Sequence, residues 1–184
     1  MSPDNWPSVT EILSPWTNFN HVHPEVLEKA CLRGSITHSY IEKIIKKELD
    51  SEMVLMMIQE DYRGYVESFL KWYELVGEII FCEDELICRT NRFKGHPDLV
   101  CRSRNGKLWL IDFKTARAHS KSWKLQLRAY SHLVEITLDE LPSVVATLRL
   151  DVNGKHPKLD QYKQNYSDLA IFLSALNVWR YFNG

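Results

Sequence analysis

The sequence predicts an α/β protein with a central mixed β-sheet flanked by helices, and three observations carry that prediction. Helical periodicity fills most of residues 24–76, period-two apolar runs with hairpin signals fill 77–113, and helix, strand and helix follow. Helices, then a strand meander, then alternating elements make a mixed sheet rather than a doubly wound one.

Residues 1–20 are rich in Pro, Asn and Ser and carry Trp6, Trp16 and Phe19, which describes an irregular arm that packs, with one helical turn over 8–13. A short helix is expected over 24–32, stopped by Gly34. Ser35 can cap a second helix running to about residue 49, with His38 on the same stripe as Ile41, Ile45 and Leu49. A longer helix is expected over 52–76, where Tyr62, Tyr65, Phe69, Leu70 and Tyr73 have core spacing and Gly64 costs up to about 1 kcal/mol. Residues 78–82 read as a strand, Glu83-Asp84 as a turn, and 85–89 as the hairpin partner. A third strand is expected over 93–102. Asn105-Gly106 then turns the chain into a strand over 107–113. After a basic loop come a helix over 122–136, a strand over 141–151 ended by Asn153-Gly154, and a helix over 167–182.

At 184 residues, 45% hydrophobic and 26% charged, the chain has the length and composition of one globular domain. Within it, 1–33 form the arm and first helix, 34–130 the motif-bearing core, and 131–184 the completing strand and helix. A net charge of −1 excludes a blanket polybasic binder and leaves room for a local basic groove. Neither an apolar leader segment nor a run of about 18 apolar residues is present, so a cytoplasmic protein without a membrane partner is expected. Cys31, Cys82, Cys88 and Cys101 have no C-x-x-C spacing and read as free thiols.

The strand Leu108-Trp109-Leu110-Ile111-Asp112-Phe113-Lys114 ends in an acid and a base that share one face with Leu108 and Leu110. Burying such a pair is costly without mutual pairing or a ligand. Gly95-His96-Pro97-Asp98 places a second acid on the neighbouring strand, about 5 Å away across a hairpin. Two converging carboxylates repel unless a cation lies between them, and hard oxygen ligands suit Mg²⁺ or Mn²⁺. Glu78 could add a third carboxylate. On the next helix Gln126 and Tyr130 share a face and can orient a lysine or a phosphate.

Gly34-x-x-x-His38, Glu78, Gly95-x-x-Asp98, Asp112-Phe113-Lys114-Thr115 and Gln126-x-x-x-Tyr130 together resemble the PD-(D/E)XK nuclease superfamily, and specifically its RecB-like exonuclease branch. That branch includes CRISPR-associated and mitochondrial genome-maintenance exonucleases. The resemblance spans 34–130 and implies a restriction-endonuclease-like core. It further implies that His38, Asp98, Asp112 and the Phe113 carbonyl bind Mg²⁺ or Mn²⁺, with Glu78 as an outer or second-metal ligand. Lys114 would position or deprotonate the attacking water and stabilise charge at phosphorus, while Gln126 and Tyr130 hold the lysine and the phosphate. Some members carry a four-cysteine iron–sulfur cluster, but here all four cysteines precede Asp112 and none is expected.

Phosphate contacts are expected from Arg117, His119, Lys121, Lys124 and Arg128, with Arg92, Lys94 and Arg102 as lesser candidates. The implied function is a metal-dependent DNA exonuclease of recombination, repair or phage and mobile-element DNA processing. It would act on ends or single strands and depend on a partner helicase or recombination protein for unwinding. A structure-specific or restriction-type endonuclease is the alternative enzyme, and a catalytically inactive nucleic-acid-binding module on the same fold is the alternative from another class.

Overall fold

Near-continuous buried apolar runs at 99–101, 108–113 and 144–148 make both faces of one sheet greasy, so helices cover both. The computed structural model describes residues 3–17, 22–116 and 118–183. Its main sheet has the order β1-β4-β5-β6-β7, with β1 at Val76–Phe81, β4 at Leu99–Ser103, β5 at Leu108–Lys114, β6 at Val144–Arg149 and β7 at Lys158–Gln161. Only β5 and β6 run parallel; every other pair is antiparallel. The parallel pair is joined by helix α5 (Ser122–Leu138), as a parallel crossover requires.

Strand β5 divides the core. Leu108 and Leu110 pack into a cluster with Leu127, Leu133, Phe172 and Leu176, which come from α5 and the last helix, α6 (Tyr166–Asn183). Ile111 and Phe113 pack into the opposite cluster with Ile41, Ile45, Phe69 and Trp72, from α2 (Pro24–Ile45) and α4 (Glu60–Tyr73). The N-terminal arm joins the first layer through α1 (Val9–Leu13). There the Ser8 hydroxyl accepts the Glu11 N–H and the Glu11 carboxylate accepts the Ser8 N–H, a reciprocal cap worth about 1 kcal/mol.

Four expectations about the elements are corrected. The two helices expected on either side of Gly34 are one 22-residue helix, α2. Gly34 keeps a negative φ, so it makes no left-handed stop; the left-handed residue is Lys47 at φ 57, just past the helix end. The long helix expected over 52–76 is instead α3 (Ser51–Met57) and α4, separated by Ile58 and Gln59 in extended conformation. The hairpin expected between 78–82 and 85–89 does not form: β1 pairs with β4, and β2 (Leu86–Cys88) pairs with β3 (Phe93–Gly95) in a separate two-stranded sheet. Glu83, at φ 59, turns the chain away from β1. The third strand expected over 93–102 is broken into β3 and β4 by His96, Pro97 and Asp98. Strand β7 was not foreseen, because Lys158-Leu159-Asp160-Gln161 has no apolar alternation. It is an edge strand tied to β6 by Arg149 Nε donating to Asp160 at 2.6 Å.

Gly64 sits in α4 for a steric reason. A Cβ there would lie 1.9 Å from the Val152 carbonyl oxygen in the loop after β6, so the helix can approach that loop only without a side chain. Gly64→Ala, although a better helix former, is therefore expected to destabilise the fold by about 1–3 kcal/mol, measured by urea unfolding. An unchanged midpoint would mean the loop yields freely.

Candidate active site

The site is built where β5 outruns its neighbour. The ladder between β4 and β5 reaches Leu99 opposite Ile111, so the peptide of Phe113 has no strand partner on that side. A buried peptide group needs one. Asp98 supplies it by accepting the Phe113 N–H at 2.5 Å, and His38 Nε2 lies 3.0 Å from the Phe113 carbonyl oxygen. The histidine reaches from α2 between sheet and solvent, its ring edge-on to Phe113 at 5.8 Å. Its other nitrogen, Nδ1, lies 3.5 Å from Asp98 Oδ2 and 3.9 Å from Glu83 Oε1.

His38, Glu83 and Asp98 thus bring one imidazole nitrogen and two carboxylate oxygens within 4.8 Å of one another. Such a donor set fits a divalent cation: hard oxygens for Mg²⁺ or Mn²⁺, with an imidazole that Mn²⁺ accepts readily. Without the ion, charge is balanced locally. Burial works against a charged His38, yet Asp98 and Glu83 outweigh it and push the imidazole up to about 10. Burial likewise opposes ionisation of Asp98, but His38, Lys114 and the Phe113 N–H together hold it below the usual carboxylate range. A cation taking these ligands must displace the histidine proton.

On the other face of β5, Asp112 is 1% exposed. Its Oδ2 lies 2.6 Å from Lys114 Nζ, an ion-pair contact outside hydrogen-bond geometry, and its Oδ1 accepts from Gln126 Nε2 at 3.2 Å. Gln126 also reaches the Tyr130 hydroxyl at 3.4 Å, and the Tyr130 ring packs where a Cβ on Gly95 would stand, 2.6 Å from it. Burial raises Asp112 to about 6, with Asp98 adding to the rise and Lys114 opposing it. For Lys114 burial again works against the charge, but Asp112 and Asp98 prevail and keep it cationic. The ammonium also lies 5.8 Å from the Trp123 ring, within cation–π range.

Beside these groups opens a cavity of about 770 Å³ bordered by Gly34, His38, Lys114, His119, Lys121 and Trp123. Gly34 is one turn before His38 on α2. A Cβ there would meet only Thr115 Oγ1 at 4.0 Å, so neither packing nor backbone geometry demands glycine at this position; a close-lying ligand would.

The structure gathers His38, Asp98, Asp112, Lys114, Gln126, Tyr130 and the Phe113 carbonyl around the end of β5. Asp112, expected among the metal ligands, is directed to Lys114 and Gln126, and the group of three that could hold a metal ion, among the described residues, contains Glu83 instead. Glu78 lies elsewhere. It is exposed and opposite Arg102, five residues or about 16 Å of strand from Glu83. No local pattern marked the missed residue, whose place follows from the pairing of β1 with β4. In the antiparallel register Phe81 faces Val100, which carries Glu83 to the level of Asp98, and the Glu83 N–H donates to the Pro97 carbonyl at 3.1 Å. Of the expected phosphate contacts, His119 and Lys121 border the cavity, and His119 lies 5.5 Å from Trp123. Lys124 pairs with Asp168 at 2.9 Å. Arg128 is buried at 6% exposure near Glu135, too enclosed for a phosphate contact. Arg117 lies outside the described residues.

Residues 25–177 match the PD-(D/E)XK nuclease superfamily. The chain belongs to that family. Its five-stranded mixed sheet flanked by helices is the corresponding restriction-endonuclease-like core, and members generally use divalent metals. Among solved structures, one described as "Crystal structure of SSO0001" is similar over 83% of this chain and 71% of that one, at 18% identity and a TM-score of 0.40. No curated protein matches the chain. Among the described residues, no helix is long and apolar enough to cross a membrane.

Two outcomes are expected. Gly34→Ala should leave stability unchanged or raise it by up to about 1 kcal/mol while lowering turnover; a thermal melt and an activity assay on the same sample read both. Asp112, with a native value near 6 against about 4 in the unfolded chain, favours folding when protonated. Its contribution therefore grows as pH falls from about 6 to about 4. Metal-free protein should gain melting temperature over that window, and Asp112→Asn should lack the gain while being at least as stable as the parent above pH 6.

Proposed function

We propose that this PD-(D/E)XK protein is a metal-dependent deoxyribonuclease of the RecB-like exonuclease branch, hydrolysing phosphodiester bonds at DNA ends or in single strands. The observation that supports it best is the meeting of two unlike clusters at the end of β5. The His38–Glu83–Asp98 donor set and the Asp112–Lys114 pair lie on either side of one peptide and beside one open cavity. A binding module has no use for clustered acids where phosphates must approach.

In this reading His38, Glu83 and Asp98 would hold the cation, with Asp112 and the Phe113 carbonyl at the same strand end. The bound cation supplies a nucleophilic hydroxide at neutral pH and neutralises a phosphate oxygen. Lys114, kept charged by Asp112 and Asp98, presents a fixed cation to the negative charge that develops on the phosphoryl oxygens. Gln126 fixes the Asp112 carboxylate and Tyr130 backs Gln126, so the lysine is aimed before substrate arrives. His119 and Lys121 neutralise neighbouring phosphates along the cavity without reading sequence. Glu83 takes the part expected of Glu78. The reading needs no iron–sulfur cluster: Cys88 is buried in the core cluster on one side of the sheet, Cys82 and Cys101 in the other, and Cys31 is exposed on α2.

Linear DNA incubated with Mg²⁺ or Mn²⁺ should be degraded, and EDTA should abolish the degradation. Lys114→Ala should lower kcat about 10²-fold or more with DNA binding nearly unchanged. A closed circle cut as readily as the linear form would replace the exonuclease with an endonuclease, and no cleavage of either would leave only a binding module. Glu83→Gln should also weaken the stabilisation by Mn²⁺, read as a rise in melting temperature and worth about 2.7 kcal/mol at a hundredfold excess over Kd in the parent. Glu78→Gln should not.

A further inference from the structure

A second cavity, of about 490 Å³, lies where the N-terminal arm, the tip of the β2–β3 hairpin and the last turn of α6 meet. Its walls include Asn5, Trp6, Arg92, Trp179, Arg180 and Asn183, and among the described residues no Asp or Glu borders it. The arm is anchored there by backbone pairing, with the Lys94 N–H donating to the Pro7 carbonyl at 3.0 Å. Arg180 is held in place rather than loose. Its Nη2 donates to the carbonyl oxygens of Asn91 and Arg92, the latter at 3.1 Å. Its Nε and Nη1 have no partner among the described residues and are not sealed off from solvent. Arg92 is exposed at φ 49, and among the described residues its side chain meets no acceptor.

Arginines placed together with no described acid between them repel, and four other arginines of the chain avoid this. Arg63, Arg102, Arg128 and Arg149 each have a carboxylate. Two guanidiniums with open N–H groups call for an anion with several acceptor oxygens, which phosphate supplies in matching geometry. The indole of Trp179 beside them, half-buried in the same wall, offers a flat apolar surface to an aromatic ring. The amides of Asn5 and Asn183 can both donate and accept at a base edge. The volume lies within the range of small-molecule sites.

We infer that this cavity binds a nucleotide unit, its phosphate on Arg92 and Arg180 and its base against Trp179. The unit can be a free mononucleotide or one residue of a single strand, and the test separates the two. Binding is measured by calorimetry on Asp112→Asn protein in EDTA, so no cleavage occurs and the result is independent of the nuclease reading. The probes are thymidine 5′-monophosphate, thymidine, inorganic phosphate and a thymidine decanucleotide.

The monophosphate should bind more tightly than thymidine or phosphate alone. Arg92→Asn, which suits the left-handed backbone and disturbs no partner, should weaken it about tenfold, the loss of one charged contact. Arg180→Gln should do the same, and Lys155→Ala, at an exposed lysine in the loop after β6, should not. A decanucleotide that binds more tightly than the monophosphate and shows the same losses identifies a strand path; equal affinities identify a mononucleotide site. Affinities for both probes that ignore Arg92→Asn, or no binding of either, overturn the inference.

Discussion

The peptide group of Phe113 is the point on which the site depends. Its N–H and C=O emerge from β5 beyond the reach of β4, at a buried position where an unpaired peptide group costs on the order of 1–3 kcal/mol. Asp98 accepts the N–H and His38 Nε2 faces the C=O. Holding that one peptide fixes an acid from the loop before β4 and an imidazole from α2 within 3.5 Å of each other. The same two side chains then form the donor set with Glu83. Backbone satisfaction and the placement of these donor groups are thus one arrangement, and the free energy that completes the fold also preorganises them.

Strand alternation does the rest. Successive side chains of β5 point to opposite faces, so Phe113 enters the core with Phe69 and Ile41 while Asp112 and Lys114 face α5. The aromatic core under Phe113, with Phe69 edge-on at 5.4 Å, keeps the strand end from shifting. The charged pair on the other face is held by Gln126 and bordered by Trp123. Each face is satisfied separately: Asp112 by Lys114 and Gln126, Asp98 by His38 and a backbone N–H. Two buried acids close together can be tolerated because each has its own cation. The protonation preferences differ accordingly, with Asp98 held ionised and Asp112 pushed up to about 6.

Much of this was legible in the chain. The run from Leu108 to Lys114 announced a buried strand ending in charge, Asn105-Gly106 announced its hairpin, and Gly95 preceded an acid just before the adjoining strand. Local periodicity and turn chemistry act over a few residues, and those features needed nothing more. The errors occurred where the deciding contact was distant. Gly34 read as a helix stop because glycine often ends helices, yet α2 runs through it and Gly34 borders the cavity. Glu83 and Asp84 read as a hairpin turn, when the pairing of β1 with β4 instead makes Glu83 a neighbour of Asp98. Arg128 looked like a phosphate contact among other basic residues, but its place on α5 turns it inward.

The sequence by itself determined the fold class, the central strand and the identity of most of the chemical groups, because alternation, helical spacing and residue chemistry are written locally. Tertiary structure alone decided which carboxylate joins His38 and Asp98 and which basic residues face the cavity. It also set the two arginines at the far end of the β2–β3 hairpin beside Trp6 and Trp179. Those outcomes depend on strand order, register and helix rotation. A shift of one residue in register or one position on a helix changes the direction of a side chain without changing the local pattern that was read.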